Sequence, residues 1–207
     1  MTGKQLSFVI ELDRCIGCAS CQAACHMENG TPLGSHRIRV LQAGPFGVFP
    51  DLSMYFLPSM CQQCEAPDCA RVCPSGAIKK NGSDGTVTLD AEICTGCGSC
   101  VRACPYGALS LSGGTADKCD LCTAARADGR EPSCVSICPG RALHLGDVSD
   151  PESAVSALIE SAGPEHVFSL RDSGSHPTVR YILRRGEWHD LLPQELRALA
   201  ERGGRRP

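Results

Sequence analysis

The residues of this chain with the clearest capacity for chemistry are its sixteen cysteines, which fall into four blocks of four. The first and third blocks share the spacing C-x2-C-x2-C-x3-C. The second block has two extra residues before its third cysteine, and the fourth has eleven residues between its second and third cysteines. In chain order the blocks are Cys15, Cys18, Cys21 and Cys25; Cys61, Cys64, Cys69 and Cys73; Cys94, Cys97, Cys100 and Cys104; and Cys119, Cys122, Cys134 and Cys138.

This spacing predicts ligands for cubane clusters of four irons and four sulfides. Each iron has one terminal position that prefers a soft thiolate, and the run C-x2-C-x2-C-x3-C is typical of such clusters. Small residues, among them Gly17 and Gly96, allow the tight loop that wraps three thiolates around one cube. We expect the fourth cysteine to lie in the first turn of a short helix and to face the neighbouring cluster. A proline follows it in every block but the first, where His26 stands instead.

Zinc and disulfide bonds are the alternatives for these thiols. Zinc ribbons place two C-x2-C pairs about 15 to 20 residues apart, and a tetrahedral ion gives no role to the third and fourth cysteines of such a compact run. Disulfide bonds require an oxidising compartment. The N-terminal sequence shows no secretory signal or twin arginine, so we expect a chain made in the cytosol without an export signal of its own. The spacing therefore favours iron–sulfur clusters.

Composition and motifs argue against several other functions. The net charge of -3 gives no electrostatic basis for a nucleic acid partner. Uncharged stretches fall short of about 18 apolar residues, so no membrane span is expected. The sequence shows no nucleophile–base pair, phosphate-binding glycine loop or nicotinamide fingerprint, so we expect no catalysis by the chain alone. Only 4% of the residues are aromatic, which predicts that clusters fill part of the interior.

Two segments add a family resemblance to the cysteine blocks: Asp13-Arg14-Cys15-Ile16-Gly17-Cys18 and Lys118-Cys119-Asp120-Leu121-Cys122. Over about residues 5–147 the chain resembles the four-cluster iron–sulfur subunit of molybdopterin oxidoreductases, such as dimethyl sulfoxide, thiosulfate, polysulfide and tetrathionate reductases. The resemblance implies a non-catalytic relay of single electrons between a large molybdopterin-binding catalytic subunit and a quinone-linked membrane anchor. A free-standing polyferredoxin for soluble enzymes, and an iron–sulfur subunit of a hydrogenase or formate dehydrogenase, are the alternatives.

The resemblance also implies a nested set of four [4Fe-4S] clusters. Twenty residues separate the second and third blocks, which predicts a compact unit whose blocks exchange their last cysteines and leaves the first and fourth blocks to pair. Carried over by position, the family's arrangement gives quartet 1 (Cys15, Cys18, Cys21, Cys138), quartet 2 (Cys25, Cys119, Cys122, Cys134), quartet 3 (Cys61, Cys64, Cys69, Cys104) and quartet 4 (Cys73, Cys94, Cys97, Cys100).

The fold class implied is α+β, with two ferredoxin-like units that duplicate the two-cluster fold, an insertion and a C-terminal extension. The tandem domain should span residues 1–147, with an inner unit at about 60–112 and an outer unit from about 5–30 and 113–147. The glycine- and proline-rich stretch Asn29 to Ser59 is interpreted as a surface loop, with partner contact as the alternative. Predicted strands are 6–12, 37–42, 86–90, 108–111 and 141–147.

The extension, residues 148–207, is expected to be partly packed. A helix is predicted at 151–162, strands at 167–170 and 178–183, and a last helix at Pro193 to Arg202. Four arginines at the basic end indicate a solvated, flexible terminus, with an acidic partner or a membrane surface as the alternative: Arg197, Arg202, Arg205 and Arg206. The side of the membrane stays open between the cytoplasmic face and the periplasmic face reached by co-export with a partner.

Five residues beside the predicted ligands have roles that the sequence leaves partly open. Tyr106 follows Cys104-Pro105 and is predicted to pack beside a cluster. Lys79, Arg71, Arg102 and Lys118 also lie close to cysteines. Each of these cations is either a charge that raises the reduction potential of a nearby cluster or a solvated surface residue, and both interpretations fit the sequence equally well.

Overall fold

The computed structural model describes residues 3–32 and 34–189 of the chain. The predicted helix at Pro193 to Arg202 and the basic end lie outside the described residues. The elements are β1 (Leu6–Glu11), α1 (Ser20–Asn29), β2 (Ile38–Val48), β3 (Asp51–Met60), α2 (Asp68–Arg71), β4 (Ile78–Lys80), β5 (Val87–Leu89), α3 (Ser99–Ala103), β6 (Leu109–Ser112), β7 (Thr115–Lys118), α4 (Thr123–Ala127), α5 (Ser133–Ser136), β8 (Leu143–Asp147), α6 (Ala154–Ala162), β9 (Val167–Phe168) and β10 (Arg180–Ile182).

The largest sheet has four strands in the order β8, β1, β10, β9. Strand β1 is antiparallel to β8 and parallel to β10, and all six of its residues are buried. A mostly apolar run is typical of a strand that is covered on both faces. Phe8 and Ile10 belong to the main core together with the buried cysteines, while Val9 packs in a smaller core with Val155 and Ile182. The sheet therefore forms one wall of the cysteine-rich interior.

Two short antiparallel hairpins follow the second and third cysteine blocks. Strands β4 and β5 pair between these blocks, and β6 pairs with β7 immediately before the fourth block. Their inward residues, such as Ile78 and Leu109, belong to the same core as the buried cysteines. The mixture of short helices and strands is consistent with the ferredoxin-like α+β class expected from the sequence.

The strand predicted at 37–42 is confirmed as the first half of β2, but the interpretation of residues 29–59 as a surface loop was wrong. Most of this stretch forms a long antiparallel hairpin of β2 and β3, whose inward residues Leu41, Ala43, Tyr55 and Leu57 are buried. The glycines and prolines that suggested a loop occupy positions where a hairpin tolerates them. The register shifts between Ala43 and Phe46, around Gly44-Pro45, and Pro50 lies in the turn between the two strands.

The C-terminal extension contributes strands to the main sheet. Strand β10 lies between β1 and β9, and Arg184 just beyond it donates through Nη1 to Oε1 of the buried Glu11 at 3.0 Å. The backbone N–H of Arg184 donates to Oδ2 of Asp13 at 2.7 Å. Further along, the Trp188 ring stacks on Phe168 with 5.1 Å between ring centroids. Residues 167–189 are therefore held against the strand that leads into the first cysteine block.

Candidate cluster-binding sites

A short helix carries the third cysteine of every block at its second position. These cysteines are Cys21 in α1, Cys69 in α2, Cys100 in α3 and Cys134 in α5. The fourth cysteine follows four residues later, about one helical turn on. The prediction that the fourth cysteine lies in the first turn was wrong. Cys25 lies in the second turn of α1, and the other three follow the ends of their helices.

The loop between the first two cysteines of each block contains a residue with a left-handed backbone conformation, at the same position in all four blocks. The residue two positions after the first cysteine has a left-handed φ of 69° at Gly17, 48° at Gln63, 66° at Gly96 and 58° at Leu121. Of these four residues, the sequence indicated only the two glycines as loop residues. Gln63 and Leu121 take the same conformation at a strain cost and are fully buried. Neither residue is of a type that favours a left-handed conformation. The only signal in the sequence is positional: when the blocks are aligned on their first cysteines, both residues stand where the other blocks have glycine.

The side chain of Gln63 forms hydrogen bonds to two other segments of the core. Its Oε1 accepts from the N–H of Val87 at 2.8 Å, and its Nε2 donates to the carbonyl oxygen of Cys119 at 3.1 Å. These bonds satisfy both ends of a buried amide. They join the second block, strand β5 and the fourth block, so they offset the backbone strain at this position.

Quartet 4 surrounds a cavity. Cys73, Cys94, Cys97 and Cys100 all line this one cavity. Three of these cysteines come from the third block, and Cys73 comes from the second. Apolar side chains close the cavity, among them Ile78, which projects from strand β4. The wall also includes Gly96, whose left-handed turn brings the loop close to the hairpin of β6 and β7.

Quartet 2 surrounds a second cavity of the same kind. Cys25, Cys119, Cys122 and Cys134 all line this cavity. Three of these cysteines come from the fourth block, and Cys25 comes from the first. Phe8 of β1 is among the apolar side chains in the wall. Both cavities thus collect three cysteines from one block and the last cysteine of another.

The four thiols of quartet 1 lie near one another, and so do the four thiols of quartet 3. The charges of Cys15, Cys138 and Cys18 raise the pKa of Cys21, after the larger effect of burial. In the same way the charges of Cys61, Cys104 and Cys64 raise the pKa of Cys69, where burial is again the main cause. Such mutual repulsion requires these sulfur atoms to lie near one another.

Adjacent quartets follow the order 1, 2, 3, 4. The charge of Cys21 in quartet 1 acts on Cys134 in quartet 2, and Cys61 in quartet 3 acts on Cys119 in quartet 2. Quartets 3 and 4 share both of their helices, since Cys69 and Cys73 belong to one block and Cys100 and Cys104 to another. The exposed thiols Cys18 and Cys97 belong to quartets 1 and 4. The two ends of the series therefore reach the surface.

Burial raises the pKa of most of these thiols, so they release their protons less readily than an exposed cysteine does. It raises the pKa of Cys21, Cys64 and Cys69 to about 12 and that of Cys25 to about 11. A metal ion binds the thiolate, so metal must displace these protons when it enters. Hydrogen bonding to the Ser99 side chain instead lowers the pKa of the exposed Cys97. The buried positions therefore hold neutral thiols until a cation replaces the proton.

The donor set fits iron–sulfur clusters. Every quartet offers four soft thiolates, and in quartets 2 and 4 the four cysteines line one common cavity. Across residues 3–32 and 34–189, no group of three or more His, Cys, Asp or Glu side chains is close enough to hold a single metal ion. Thiols on repeated loops around such cavities define the class of protein, which is an iron–sulfur protein of the ferredoxin type.

Tyr106 packs next to quartet 3, in agreement with its predicted position. Only 4% of the residue is exposed, and its hydroxyl donates to the carbonyl oxygen of Arg171 at 3.3 Å. The charges of Cys64 and Cys104 act on its hydroxyl, and burial is the main cause of its raised pKa. The ring therefore covers quartet 3 and also anchors the extension at residue 171.

We predict that Gly96→Ala costs the protein one cluster. A Cβ at this position would lie 2.2 Å from the carbonyl oxygen of Gly114, a backbone atom that cannot rotate away. The loop of quartet 4 would have to shift, and iron analysis should show a loss of about four irons per chain. Gly129→Ala is the matched control, because Gly129 has a similar φ of 74° and nothing lies within 4 Å of the added Cβ. It should keep its iron and lose only about 1 kcal/mol of stability; equal iron loss in both variants would refute the steric explanation.

Comparison with known proteins agrees with the class. Residues 52–148 match the family model described as a 4Fe-4S dicluster domain, and residues 12–28 match a 4Fe-4S binding domain. The chain is 36% identical to the B subunit of sulfite dehydrogenase from Allochromatium vinosum, over 93% of this chain and 88% of that protein. It is 39% identical to the B component of polysulfide reductase from Wolinella succinogenes, over 76% and 84%. It is 34% identical to protein NrfC of Escherichia coli, over 90% and 78%.

The chain therefore belongs to the family of ferredoxin-type iron–sulfur electron-transfer subunits of molybdopterin oxidoreductases. This confirms the resemblance carried by the cysteine blocks and the two motifs beside them. The protein is an accessory subunit that relays electrons through 4Fe-4S clusters, and it is not the catalytic subunit. In the part of the chain that the structure describes, no helix is long and apolar enough to cross a bilayer.

Proposed function

We propose that the chain holds four [4Fe-4S] clusters, one in each quartet. The supporting observation is the composition of the two cavities, since each is lined by three cysteines of one block and the last cysteine of another. The same exchange is typical of two-cluster ferredoxins. The mutual charge effects within quartets 1 and 3 favour the same assignment for the other eight cysteines.

The proposed domain organisation follows the quartets. Quartets 3 and 4 lie in an inner unit, about residues 60–112, and quartets 1 and 2 in an outer unit from about 5–30 and 113–147. These units form a tandem domain of residues 1–147 that duplicates the two-cluster fold. The hairpin of β2 and β3 is an insertion between the first and second blocks, and residues 148–207 are an extension that lends β9 and β10 to the sheet of the outer unit.

The order of the quartets supports electron passage from one surface to another. A bound [4Fe-4S] cluster accepts and releases one electron at a time. The thiolates would hold four such groups in the order 1, 2, 3, 4, and apolar residues such as Phe8 beside quartet 2 shield an inner cluster from water. Because Cys18 and Cys97 are exposed, quartets 1 and 4 are the points at which partners exchange electrons with the chain.

The partners proposed are a large molybdopterin-binding catalytic subunit at one end and a quinone-linked membrane anchor at the other. Relatives that are the B components of polysulfide reductase and sulfite dehydrogenase support this placement. The chain would then lie peripherally on a membrane complex, on the cytoplasmic face or, after co-export with a partner, on the periplasmic face.

Anaerobic purification of the tagged protein from its native cells tests this function. We expect a large molybdenum-containing protein and a multi-span membrane protein to co-purify with it from detergent-solubilised membranes. The control is the same purification with an unrelated tagged protein, which should yield neither. If the iron-containing chain elutes from gel filtration alone, without molybdenum, the polyferredoxin alternative replaces the proposed complex.

A further inference from the structure

Lys118, at the end of β7, is a buried lysine next to a cluster-binding loop. Only 2% of the residue is exposed. Its Nζ donates to the backbone carbonyl oxygens of Val87 and of Cys119, the latter at 2.6 Å. Within residues 3–32 and 34–189, no carboxylate lies close enough to form an ion pair with it. A buried charge without a counterion is strongly destabilising, so this position needs a negative partner.

The groups that interact with the charge of Lys118 include cysteines of two different quartets, which become thiolates when they bind a cluster. Its charge lowers the pKa of Cys119 in quartet 2 and of Cys69 in quartet 3, against the larger raising effect of burial at both. Lys118 therefore lies between the two middle quartets. Four thiolates outweigh the positive charge of an oxidised cube, so each bound cluster would leave a net negative charge beside the ammonium group.

Other cations near the cysteine blocks do not share this environment. Arg71 is paired with Asp68 on the surface, and Lys79 and Arg102 are exposed, so water screens all three. Lys80 is half-buried and interacts with Cys64 and Cys61 of quartet 3, but the charges of Glu65 and Asp84 also act on it and offset its own charge.

Arg37 approaches Cys25 of quartet 2, yet its own charge is offset by carboxylates. Its Nη2 lies 2.7 Å from Asp117, and its Nη1 lies 3.3 Å from Asp120. The two aspartates together carry more negative charge than the arginine carries positive charge. Lys118 thus differs from Arg37 in presenting an unneutralised charge to the clusters.

We propose that Lys118 is the fixed positive charge that raises the reduction potential of the two middle clusters, those of quartets 2 and 3. The inference rests on the ligand assignment in the proposed function. An electron added to a cluster is stabilised by a nearby cation, and burial prevents water and salt from screening that attraction. Local charge is one of the means by which proteins set cluster potentials. In this role Lys118 acts on the clusters through its charge while its Nζ donates to the two carbonyl oxygens.

Redox titration followed by EPR, on the anaerobically purified full chain with dithionite as reductant, tests the proposal. The variants are Lys118→Gln, which keeps a donor for the two carbonyl oxygens, Lys118→Met and Lys118→Arg. We expect the neutral variants to lower two of the four midpoint potentials by at least 59 mV, a tenfold change in the equilibrium constant of a one-electron couple. Lys118→Arg and the exposed control Lys79→Gln should leave all four potentials close to those of the wild type.

The outcomes distinguish a failure of this inference from a failure of the proposed function on which it rests. Full iron content with four unchanged potentials in Lys118→Gln would overturn the role of Lys118 and leave the four-cluster assignment intact. Loss of iron in both neutral variants would also overturn it, because the lysine would then serve cluster assembly. A wild-type chain that purifies without iron would remove the proposed function and the inference together.

Discussion

Removal of iron is expected to unfold the core of the protein. The main core contains seven buried cysteines, and only 4% of all residues are aromatic, so few large side chains remain to fill the space that the clusters would leave. The free energy of metal binding then becomes part of the free energy of folding. We expect ferricyanide with EDTA to abolish the cooperative thermal transition of the holoprotein. Circular dichroism and the rate of trypsin digestion would measure the loss.

The control for iron removal is EDTA without the oxidant, which should leave the clusters and the transition in place. The smaller core of Val9, Val155 and Ile182 contains no cysteine, so residual structure should be confined to β1, α6 and β10. An iron-free chain that keeps the protease resistance of the holoprotein across residues 61–142 would contradict the view that the clusters hold this core together.

The iron lost by a double cysteine variant should depend on whether the two cysteines belong to one quartet or to two. Whether they belong to the same block should not matter. Cys25 and Cys134 belong to different blocks but line one cavity, so Cys25→Ala with Cys134→Ala should remove a single cluster, about four irons per chain. Cys21 and Cys25 belong to one block, yet the charges of Cys15 and Cys138 act on Cys21. The pair Cys21→Ala with Cys25→Ala should therefore remove two clusters, about eight irons per chain.

The neighbouring Ser133→Ala is the control for the substitutions in α5 and should keep its full iron content. Iron and acid-labile sulfide, measured on each purified variant, provide the comparison. If the two cysteine pairs lose the same amount of iron, or if the losses follow the blocks, the nested assignment is wrong. A three-iron cluster in a single variant would appear as a loss of about one iron and has to be distinguished by EPR.

The sequence predicted the iron–sulfur class of the protein because cluster ligation is local. Three thiols within one loop report their chemistry through spacing alone, as at Cys15, Cys18 and Cys21. Strands β1 and β8 were also predicted close to their observed bounds, since β1 is mostly apolar, β8 has leucines at alternate positions, and each lies beside a block.

The features that the sequence missed depend on contacts between distant segments. The hairpin of β2 and β3 was not predicted because Gly44-Pro45 and Pro50 are local loop signals, whereas a register shift and a turn accommodate them. The left-handed turn at Gln63 carries no glycine and is supported by bonds to Val87 and Cys119. No local pattern could report those two partners.

The burial of Lys118 is a further feature of this kind. In the sequence it is one of several cations next to cysteines, and nothing separates it from Lys79. The packing of β5 beside β7 places Val87 over its ammonium group, and this contact removes it from water. Tertiary packing, and not residue type, decides which of these charges can act on a cluster.

Low-temperature EPR of the dithionite-reduced, anaerobically purified protein tests the central claim most directly. If four cubane clusters lie in the order of quartets 1 to 4, their unpaired spins are close enough to interact, and we expect a broad spectrum split by magnetic coupling between neighbours. A colourless protein with no EPR signal, or a set of sharp signals without coupling, would contradict the account of a series of clusters that carries electrons through this subunit.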